Sequence, residues 1–229
     1  MCLILVAWRC DARHPLVVAA NRDEYHARPS AAAAFWSDDA QVLAGRDLEG
    51  LGTWLGVTRS GRFAAVTNYR GGRDPKALES RGLLTTRFLQ NGEAACDYNA
   101  AVAAKGAAYS GFNLLTADGD ELWWHSNRDG APRRLQPGLY GLGNDLLDSA
   151  DVSEAKLRLA QTLAPSPAID SLFAALAPAR IVNGPYGTRC STAIVAGPQG
   201  RWRFAERSFG AEGQELATVQ FEFAARAAG

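Results

Sequence analysis

The chain has 229 residues, a length that favours one large domain over two small ones. Its 24 Lys and Arg residues balance 24 Asp and Glu residues, which argues against nucleic acid or an anionic membrane as the main partner. Three histidines and four scattered cysteines form no CxxC or HExxH motif, so no metal site is predicted. No segment approaches the roughly 20 apolar residues of a membrane span, and the first residues do not resemble a signal peptide. We therefore expect a cytoplasmic protein without integral membrane association.

Apolar runs near both ends of the chain predict β-strands. The first two are joined by a polar hairpin loop at 9–15, which contains turn-forming residues. The predicted strands, in chain order, are residues 2–8, 16–20, 53–58, 63–68, 112–117, 122–125, 192–196, 202–206 and 218–223.

Helical patterns occupy the middle of the chain. They cover 78–90, 93–105 and 154–163, with Asp151-x-x-Glu154 resembling a capping box, and Ile169 to Leu176 also shows helical spacing. Alternating βαβ units are absent, which disfavours a parallel α/β plan. The sequence thus predicts an α+β fold of mainly antiparallel sheets with helices on their outer faces, in a single domain over 1–229.

Cys2 is the first candidate for chemistry. Aminopeptidases remove Met1 when residue 2 is small, and the chain would then begin with a cysteine that carries a thiol and a free α-amine. An α-amine has a pKa of about 7.7–8.0, which suits a general base. Cys2 can therefore act as an N-terminal nucleophile, or it can simply be a small buried residue that starts a strand.

The polar run from Asn21 to Glu24 follows the second strand. Such a run usually forms a solvated turn, but if the strand continues, Asn21 and Asp23 share one face and Arg22 and Glu24 share the other. In a hairpin the end of strand 2 lies near the start of strand 1. This geometry would put the Asp23 carboxylate beside Cys2, where it can hold an α-ammonium group.

These residues belong to a longer set of motifs that resembles the NRDE family, which includes the transport and Golgi organisation protein 2 group. The matching motifs run in order along nearly the whole chain: Met1-Cys2, Ala19-Ala20-Asn21-Arg22-Asp23-Glu24, Arg28-Pro29, Gly52-Thr53-Trp54-Leu55-Gly56, Ala65-Val66-Thr67-Asn68-Tyr69, Gly111-Phe112-Asn113-Leu114-Leu115, Tyr140-Gly141-Leu142-Gly143-Asn144, Tyr186-Gly187-Thr188-Arg189 and Glu206-Arg207-Ser208.

The resemblance implies the fold of N-terminal nucleophile hydrolases, a four-layer αββα sandwich of mostly antiparallel sheets. Cysteine enzymes of this fold, the bile-salt and penicillin V acylases, pair the cysteine with an aspartate, two asparagines and a late arginine. By order and motif, Asp23, Asn68, Asn144 and Arg189 fill those places. The resemblance implies that Asp23 would hold the α-amine and that Asn68 would help to form an oxyanion hole. Asn144 would orient the amine or the substrate, and Arg189 would position Cys2 or an acyl carboxylate. Simpler readings make Asn144 a turn residue and Arg189 part of a loop salt bridge.

One position departs from the acylase pattern. Those enzymes carry an arginine three residues before their aspartate, where this chain has Ala20. Arg22 is present, but strand geometry directs it away from the face of Asp23, so it serves another site or the fold. Together with Asn21, Glu24 and Tyr69, Arg22 is a candidate ligand-binding residue.

Two functions compete. The first is an N-terminal-cysteine hydrolase or acyltransferase that acts on a non-peptide amide or thioester of a small acyl or lipid-like substrate, without a catalytic cofactor. The second is a non-catalytic trafficking protein that binds haem, acyl-CoA or lipid on the same fold. His125, after two tryptophans, offers an axial haem ligand, but a lone histidine at a strand end is more often a packing residue. A purely structural module has least support.

Overall fold

A computed structural model describes residues 2–71 and 74–225. Its strands, in chain order, are β1 (Leu3–Asp11), β2 (His14–Tyr25), β3 (Ser30–Phe35), β4 (Val42–Asp47), β5 (Leu55–Thr58), β6 (Phe63–Asn68), β7 (Phe112–Ala117), β8 (Leu122–Ser126), β9 (Arg133–Leu135), β10 (Gly138–Leu142), β11 (Val182–Asn183), β12 (Tyr186–Ala196), β13 (Arg201–Phe209) and β14 (Glu215–Ala224). The α-helices are α1 (Gly82–Gln90), α2 (Ala95–Ala104), α3 (Ser153–Thr162) and α4 (Ile169–Leu176).

The described residues form two compact units. Unit 1 comprises 2–28, 137–143 and 147–224, and unit 2 comprises 29–71, 74–136, 144–146 and 225. Each unit contains one seven-stranded sheet in the described part of the chain, and the strands of both sheets pair antiparallel. The predicted α+β class with antiparallel sheets is confirmed, whereas the single domain over 1–229 stays a prediction.

The sheet of unit 1 has the order β10-β1-β2-β12-β13-β14, with β11 paired to β12. Alternate residues of β1, including Leu3 and Leu5, point to one face because successive side chains of a strand face opposite sides. Leu159 of α3 and Leu172 and Leu176 of α4 cover that face and are fully buried. Strand β2, which contains the NRDE motif (residues 21–24), therefore lies near the centre of the sheet, and the helix pair packs on one face of that sheet.

The sheet of unit 2 has the order β3-β4-β5-β6-β7-β8-β9. Leu84 and Phe88 of α1 pack with Val102 of α2 on a face formed by residues such as Phe112 and Leu114 of β7. Each unit is thus one sheet with one pair of helices packed on a face. This is the packing that the apolar helical spacing predicts.

Several predicted elements are confirmed closely. The strands at 63–68 and 112–117 and the helix at 169–176 have the predicted bounds. The helix predicted at 78–90 begins later, at Gly82. The Asp151 capping box is wrong: a 3₁₀ turn at Ala150–Val152 precedes α3, and the Asp151 carboxylate accepts a hydrogen bond from the Ser149 hydroxyl instead.

The first hairpin is tighter than the predicted loop at 9–15. β1 continues to Asp11 through an irregularity after Trp8, where Arg9 has a φ of 48°, and β2 begins at His14. The Asp11 carboxylate accepts hydrogen bonds from the Arg13 N–H (3.0 Å) and from His14 Nδ1 (2.9 Å). The polar residues at this end of the hairpin therefore belong to exposed strand ends and to a short turn. The Asp11 carboxylate stabilises that turn, and this described stretch contains no long loop between β1 and β2.

Helices of the described residues are all too short or too polar to cross a membrane. Within the same residues, His, Cys, Asp and Glu side chains form no group of three or more suited to a metal ion. His125 is a packing residue, 3% exposed, with its ring edge-to-face against Phe112 at 5.6 Å between centroids.

Candidate active site

The β1–β2 hairpin brings Cys2 against Asp23. Leu3 lies opposite Asn21 in the pairing, so the residue before β1 reaches the end of β2. The backbone N–H of Asp23 donates a hydrogen bond to Cys2 Sγ at 3.4 Å, and the thiol lies 3.5 Å from the Asp23 carbonyl oxygen. The sequence prediction that hairpin geometry places Asp23 beside Cys2 is confirmed, as is the continuation of the strand through the NRDE motif.

The carboxylate of Asp23 is buried and fixed by β12. Thr188, opposite Asp23 in the pairing of β2 with β12, donates a hydrogen bond from Oγ1 to Asp23 Oδ1 at 2.6 Å. Thr188 Oγ1 in turn accepts the Ile181 N–H at 2.8 Å, and the Tyr186 hydroxyl donates to the Asp23 carbonyl at 3.4 Å. Sequence reasoning selected only Arg189 from the Tyr186–Arg189 motif. Thr188 was missed because the predicted strand began at residue 192, whereas β12 begins at Tyr186.

Arg189 is the extra residue of a β-bulge. Thr188 pairs with Asp23 and Cys190 with Arg22, so Arg189 has no partner position in β2. Bulges redirect side chains and occur often beside active sites. Arg189 Nη1 donates to the carbonyls of Tyr25 and Arg28, both at 2.9 Å. Its guanidinium therefore stabilises the segment that leaves β2, and the predicted role of positioning Cys2 or an acyl carboxylate stays a prediction.

Positive charge surrounds Glu24 at the end of β2. Arg22, only 6% exposed, has Nη2 4.0 Å from the Glu24 carboxylate, and Arg28 Nε lies 3.9 Å from the same oxygen. Arg189 is within electrostatic reach of both Arg22 and Glu24. Three guanidinium groups thus share one carboxylate, and the cluster as a whole favours an anionic group.

The Cys2 thiol is protonated at rest. Burial raises its pKa, and the negative charge of Asp23 raises it further, while the Asp23 N–H and the charge of Arg22 act in the opposite direction. Arg22 therefore affects the electrostatics of Cys2 even though strand alternation directs it away from the face of Asp23. A thiol of this kind needs a base to remove its proton before it attacks a carbonyl.

Asn21 is engaged inside unit 1. Its side chain is 2% exposed, accepts a hydrogen bond from Ser191 Oγ at 2.6 Å and donates to the Leu176 carbonyl at 3.3 Å. These contacts join β2 to β12 and to the end of α4. The ligand-binding role predicted for Asn21 stays a prediction, and the observed contacts stabilise the strand that carries Asp23.

The remaining candidates lie together in unit 2. Asn144 donates from Nδ2 to the carbonyl of Asn68 at 2.6 Å, and its own carbonyl accepts the Arg70 N–H at 2.7 Å. Tyr69, which lies between Asn68 and Arg70 in the sequence, donates its N–H to the Gly111 carbonyl at 2.9 Å. Three of the family motifs thus converge here, and the Asn144 side chain fixes the backbone of Asn68.

Relatives and a solved structure resemble this chain over most of its length. A family model described as Transport and Golgi organisation 2 matches residues 1–180. The Transport and Golgi organization protein 2 homolog of Bos taurus is 34% identical, over 97% of this chain and 99% of its own. The homolog of Mus musculus is 31% identical, over 91% and 93%.

A structure of the Caenorhabditis elegans ortholog of N-acylethanolamine-hydrolyzing acid amidase matches with a TM-score of 0.53, covering 84% of this chain and 92% of that one. This neighbour is an N-terminal nucleophile hydrolase, and at 13% identity the match shows likeness of fold alone. The sequence identities and the family match carry the assignment: this chain belongs to the transport and Golgi organisation 2 family.

Proposed function

We propose that this protein is an N-terminal-cysteine hydrolase or acyltransferase that acts on a non-peptide amide or thioester of a small acyl or lipid-like substrate. The observation that carries the proposal is the hydrogen bond from Asp23 N–H to Cys2 Sγ, beside an Asp23 carboxylate that Thr188 fixes. The proposed fold is the four-layer αββα sandwich, for which each unit supplies one sheet and one helix pair.

In the proposed reaction, removal of Met1 exposes the α-amine of Cys2, which takes the thiol proton. The sulfur then forms a bond to the substrate carbonyl carbon, and the bond from that carbon to nitrogen or sulfur breaks. The leaving group departs with the proton that the amine held. Water, or an acceptor in a transferase, then attacks the Cys2 thioester and restores the thiol. The Asp23 carboxylate holds the α-ammonium group between these steps.

The substrate class follows from charge and from the fold neighbour. The guanidinium groups of Arg22, Arg28 and Arg189 suit a carboxylate or phosphate on the acyl group or on its carrier. The nematode neighbour hydrolyses N-acylethanolamines by its name, which supports an amide among the bonds to be tested. Asn68 and Asn144 are proposed, from the family resemblance, to stabilise the oxyanion and to orient the substrate.

The proposal is tested by trapping the acyl-enzyme. Purified protein is mixed with p-nitrophenyl decanoate and with decanoyl-CoA, and intact and peptide masses are recorded. We expect Met1 to be absent and a decanoyl adduct to form on Cys2, then disappear with time. Cys2→Ala should abolish the adduct and Cys96→Ala should retain it. Retention of Met1, or equal acylation of Cys2 and Cys96, would refute the mechanism.

A second candidate is a non-catalytic protein that binds haem, acyl-CoA or lipid. The raised pKa of the buried Cys2 thiol favours it, because such a thiol is unreactive without a working base. A Soret band on titration with haem, or an acyl-CoA retained in native mass spectra of freshly purified protein, would support this candidate. Binding of neither in the micromolar range would refute it.

A further inference from the structure

Unit 2 contains a cavity of about 410 Å³ beside the helix pair α1 and α2. This volume falls in the range of about 300–1,000 Å³ that is typical of small-molecule sites. The buried part of its lining is apolar and aromatic, formed by Tyr98, Val102 and Tyr109, each 5–6% exposed. The exposed part of its lining is polar and includes Arg87, Gln90 and Lys105.

Hydrogen bonds fix the floor of the cavity. The Tyr98 hydroxyl donates to the Leu84 carbonyl at 2.6 Å, and the Tyr109 hydroxyl donates to the Glu79 carboxylate at 3.1 Å. Burial raises the pKa of both phenols, so they remain neutral at physiological pH. Their rings therefore form a preorganised aromatic surface.

The guanidinium of Arg87 is held at one end. Nη1 donates to the Tyr109 hydroxyl at 2.7 Å and forms the ion pair with Glu79. Over residues 2–71 and 74–225, Nη1 is the Arg87 nitrogen that donates a side-chain hydrogen bond and that contacts the Glu79 carboxylate, and Nε and Nη2 donate no hydrogen bond. The Nε–H and Nη2 edge is left for a ligand, and a planar edge of this kind suits a carboxylate or sulfonate.

Other polar side chains of the lining are also available to bind a ligand beside the Nε–H and Nη2 edge of Arg87. In the described part of the chain the Lys105 ammonium has no ion-pair partner, and the Gln90 side-chain amide makes no hydrogen bond. The acid of the lining, Glu93, accepts a hydrogen bond from Asn91 Nδ2 at 3.0 Å. The cationic groups of the lining therefore outnumber its single carboxylate.

We propose that this cavity binds a small amphipathic organic anion. Its aromatic or aliphatic body packs on Tyr98, Val102 and Tyr109, and its carboxylate or sulfonate is bound by Arg87 and Lys105. The site is built within unit 2 and does not depend on the proposed reaction of Cys2.

The probe for this site is 8-anilinonaphthalene-1-sulfonate, which carries both an aromatic body and a sulfonate, titrated by fluorescence. We expect saturable binding in the micromolar range. Ala101→Trp, which fills the cavity from α2, should weaken binding by about tenfold or more. Lys105→Met should weaken it about two- to fivefold, as for loss of one exposed charge contact, with the effect shrinking at high salt.

Matched controls separate this site from non-specific binding. Ala103→Trp places the same side chain on an exposed position of α2 outside the cavity, and Lys76→Met removes an exposed lysine outside it. Both should bind the probe like the unaltered protein. N-phenyl-1-naphthylamine, which lacks the sulfonate, should be insensitive to Lys105→Met. Absence of saturable binding, or equal effects of Ala101→Trp and Ala103→Trp in variants with unaltered circular dichroism, would overturn the proposal.

Discussion

Thr188 Oγ1 donates a hydrogen bond of 2.6 Å to Asp23 Oδ1 between the central strands β2 and β12, and both side chains are at most 5% exposed. A buried carboxylate without a donor carries a large desolvation penalty, so this hydroxyl determines both where the carboxylate points and how stable it is there. Thr188 does not contact Cys2 Sγ through a described hydrogen bond, and it is therefore a positioning residue.

Thr188→Val should destabilise the protein by about 1–3 kcal/mol, because the buried Asp23 carboxylate and the Ile181 N–H both lose a partner. If the proposed reaction holds, the rate of Cys2 acylation should also fall, about 10- to 100-fold, because the carboxylate loses its fixed orientation. Urea unfolding and the acyl-enzyme assay measure the two effects. Thr188→Ser keeps the hydroxyl and should recover most of the rate. Equal rates for the Val and Ser variants would show that the hydroxyl has a structural role only.

Asp23→Asn should change thiol reactivity and turnover in opposite directions. The charge of Asp23 raises the pKa of Cys2, so its removal should lower that pKa and speed alkylation by iodoacetamide near neutral pH. Acyl transfer should nevertheless fall by about 100-fold or more, since the amide cannot hold the α-ammonium group by charge. Alkylation rates against pH, followed by peptide mass spectrometry, give the pKa directly.

Arg22→Met provides the opposite electrostatic change. The charge of Arg22 lowers the pKa of Cys2, so its loss should raise that pKa and slow alkylation at the same pH. The charges of Asp23 and Arg22 should thus shift one titration curve in opposite directions. A curve that moves the same way in both variants would contradict the electrostatic picture and point to a general change in exposure of Cys2.

His125 should make the protein acid-sensitive. Burial lowers the pKa of His125 below its ordinary value of 6.5, and the charge of Asp129 offsets this only in part. Among the described residues neither ring nitrogen of His125 has a hydrogen-bond partner. The unfolded chain therefore binds a proton that the folded chain excludes. The stability from this group is complete above pH 6.5 and is lost as the pH falls through 6.5 towards the folded pKa, at up to about 1.4 kcal/mol per pH unit.

The matching variant is His125→Phe, which fills the same aromatic surroundings without a titrating group. Its melting temperature should fall less between pH 7.5 and pH 5.5 than that of the unaltered protein. His125→Gln, polar but not titrating, should show the same reduced slope despite lower overall stability. Identical slopes in all three proteins would assign the acid sensitivity to other groups.

Local patterns predicted the strands whose apolar residues are continuous, such as β6 and β7. They missed β3 and β4, because β3 is a run of alanines without alternation and β4 ends in Gly45, Arg46 and Asp47. β3 and β4 form strands through pairing with each other and with β5. Pairing between distant segments is not encoded in the local period, which is why the sequence could not reveal these two strands.

The candidate site likewise combines features that local sequence predicts with features that depend on pairing between distant segments. Hairpin geometry and strand period sufficed to place Asp23 beside Cys2, because Cys2 directly precedes β1 and Asp23 lies near the end of β2, and a short turn joins the two strands. The contribution of Thr188 depends on β12 pairing with β2 after more than 160 intervening residues, and on a bulge at Arg189 that sets the register. The resemblance selected Arg189, but only tertiary structure shows that it donates to the backbone of Tyr25 and Arg28.

Gly187 of the Tyr186–Arg189 motif should not tolerate a side chain. A Cβ at this position would lie 2.7 Å from the Ile181 carbonyl oxygen and 3.2 Å from His26 Nε2. The Ile181 carbonyl also accepts the Thr188 N–H at 2.8 Å, so it helps to position Thr188. A methyl group at residue 187 would push this carbonyl away and would therefore displace Thr188. Gly187→Ala should therefore destabilise the protein by about 1–3 kcal/mol, as overpacking against a backbone does.

Gly130→Ala is the control, because a Cβ there meets no atom within 4 Å and should change stability by less than about 0.5 kcal/mol. The comparison uses urea unfolding for both variants and the acyl-enzyme assay for Gly187→Ala. Displacement of Thr188 loosens the Asp23 carboxylate, so the rate of Cys2 acylation should fall, as in Thr188→Val. A Gly187→Ala protein as stable as Gly130→Ala would show that the motif glycine is not constrained by Ile181.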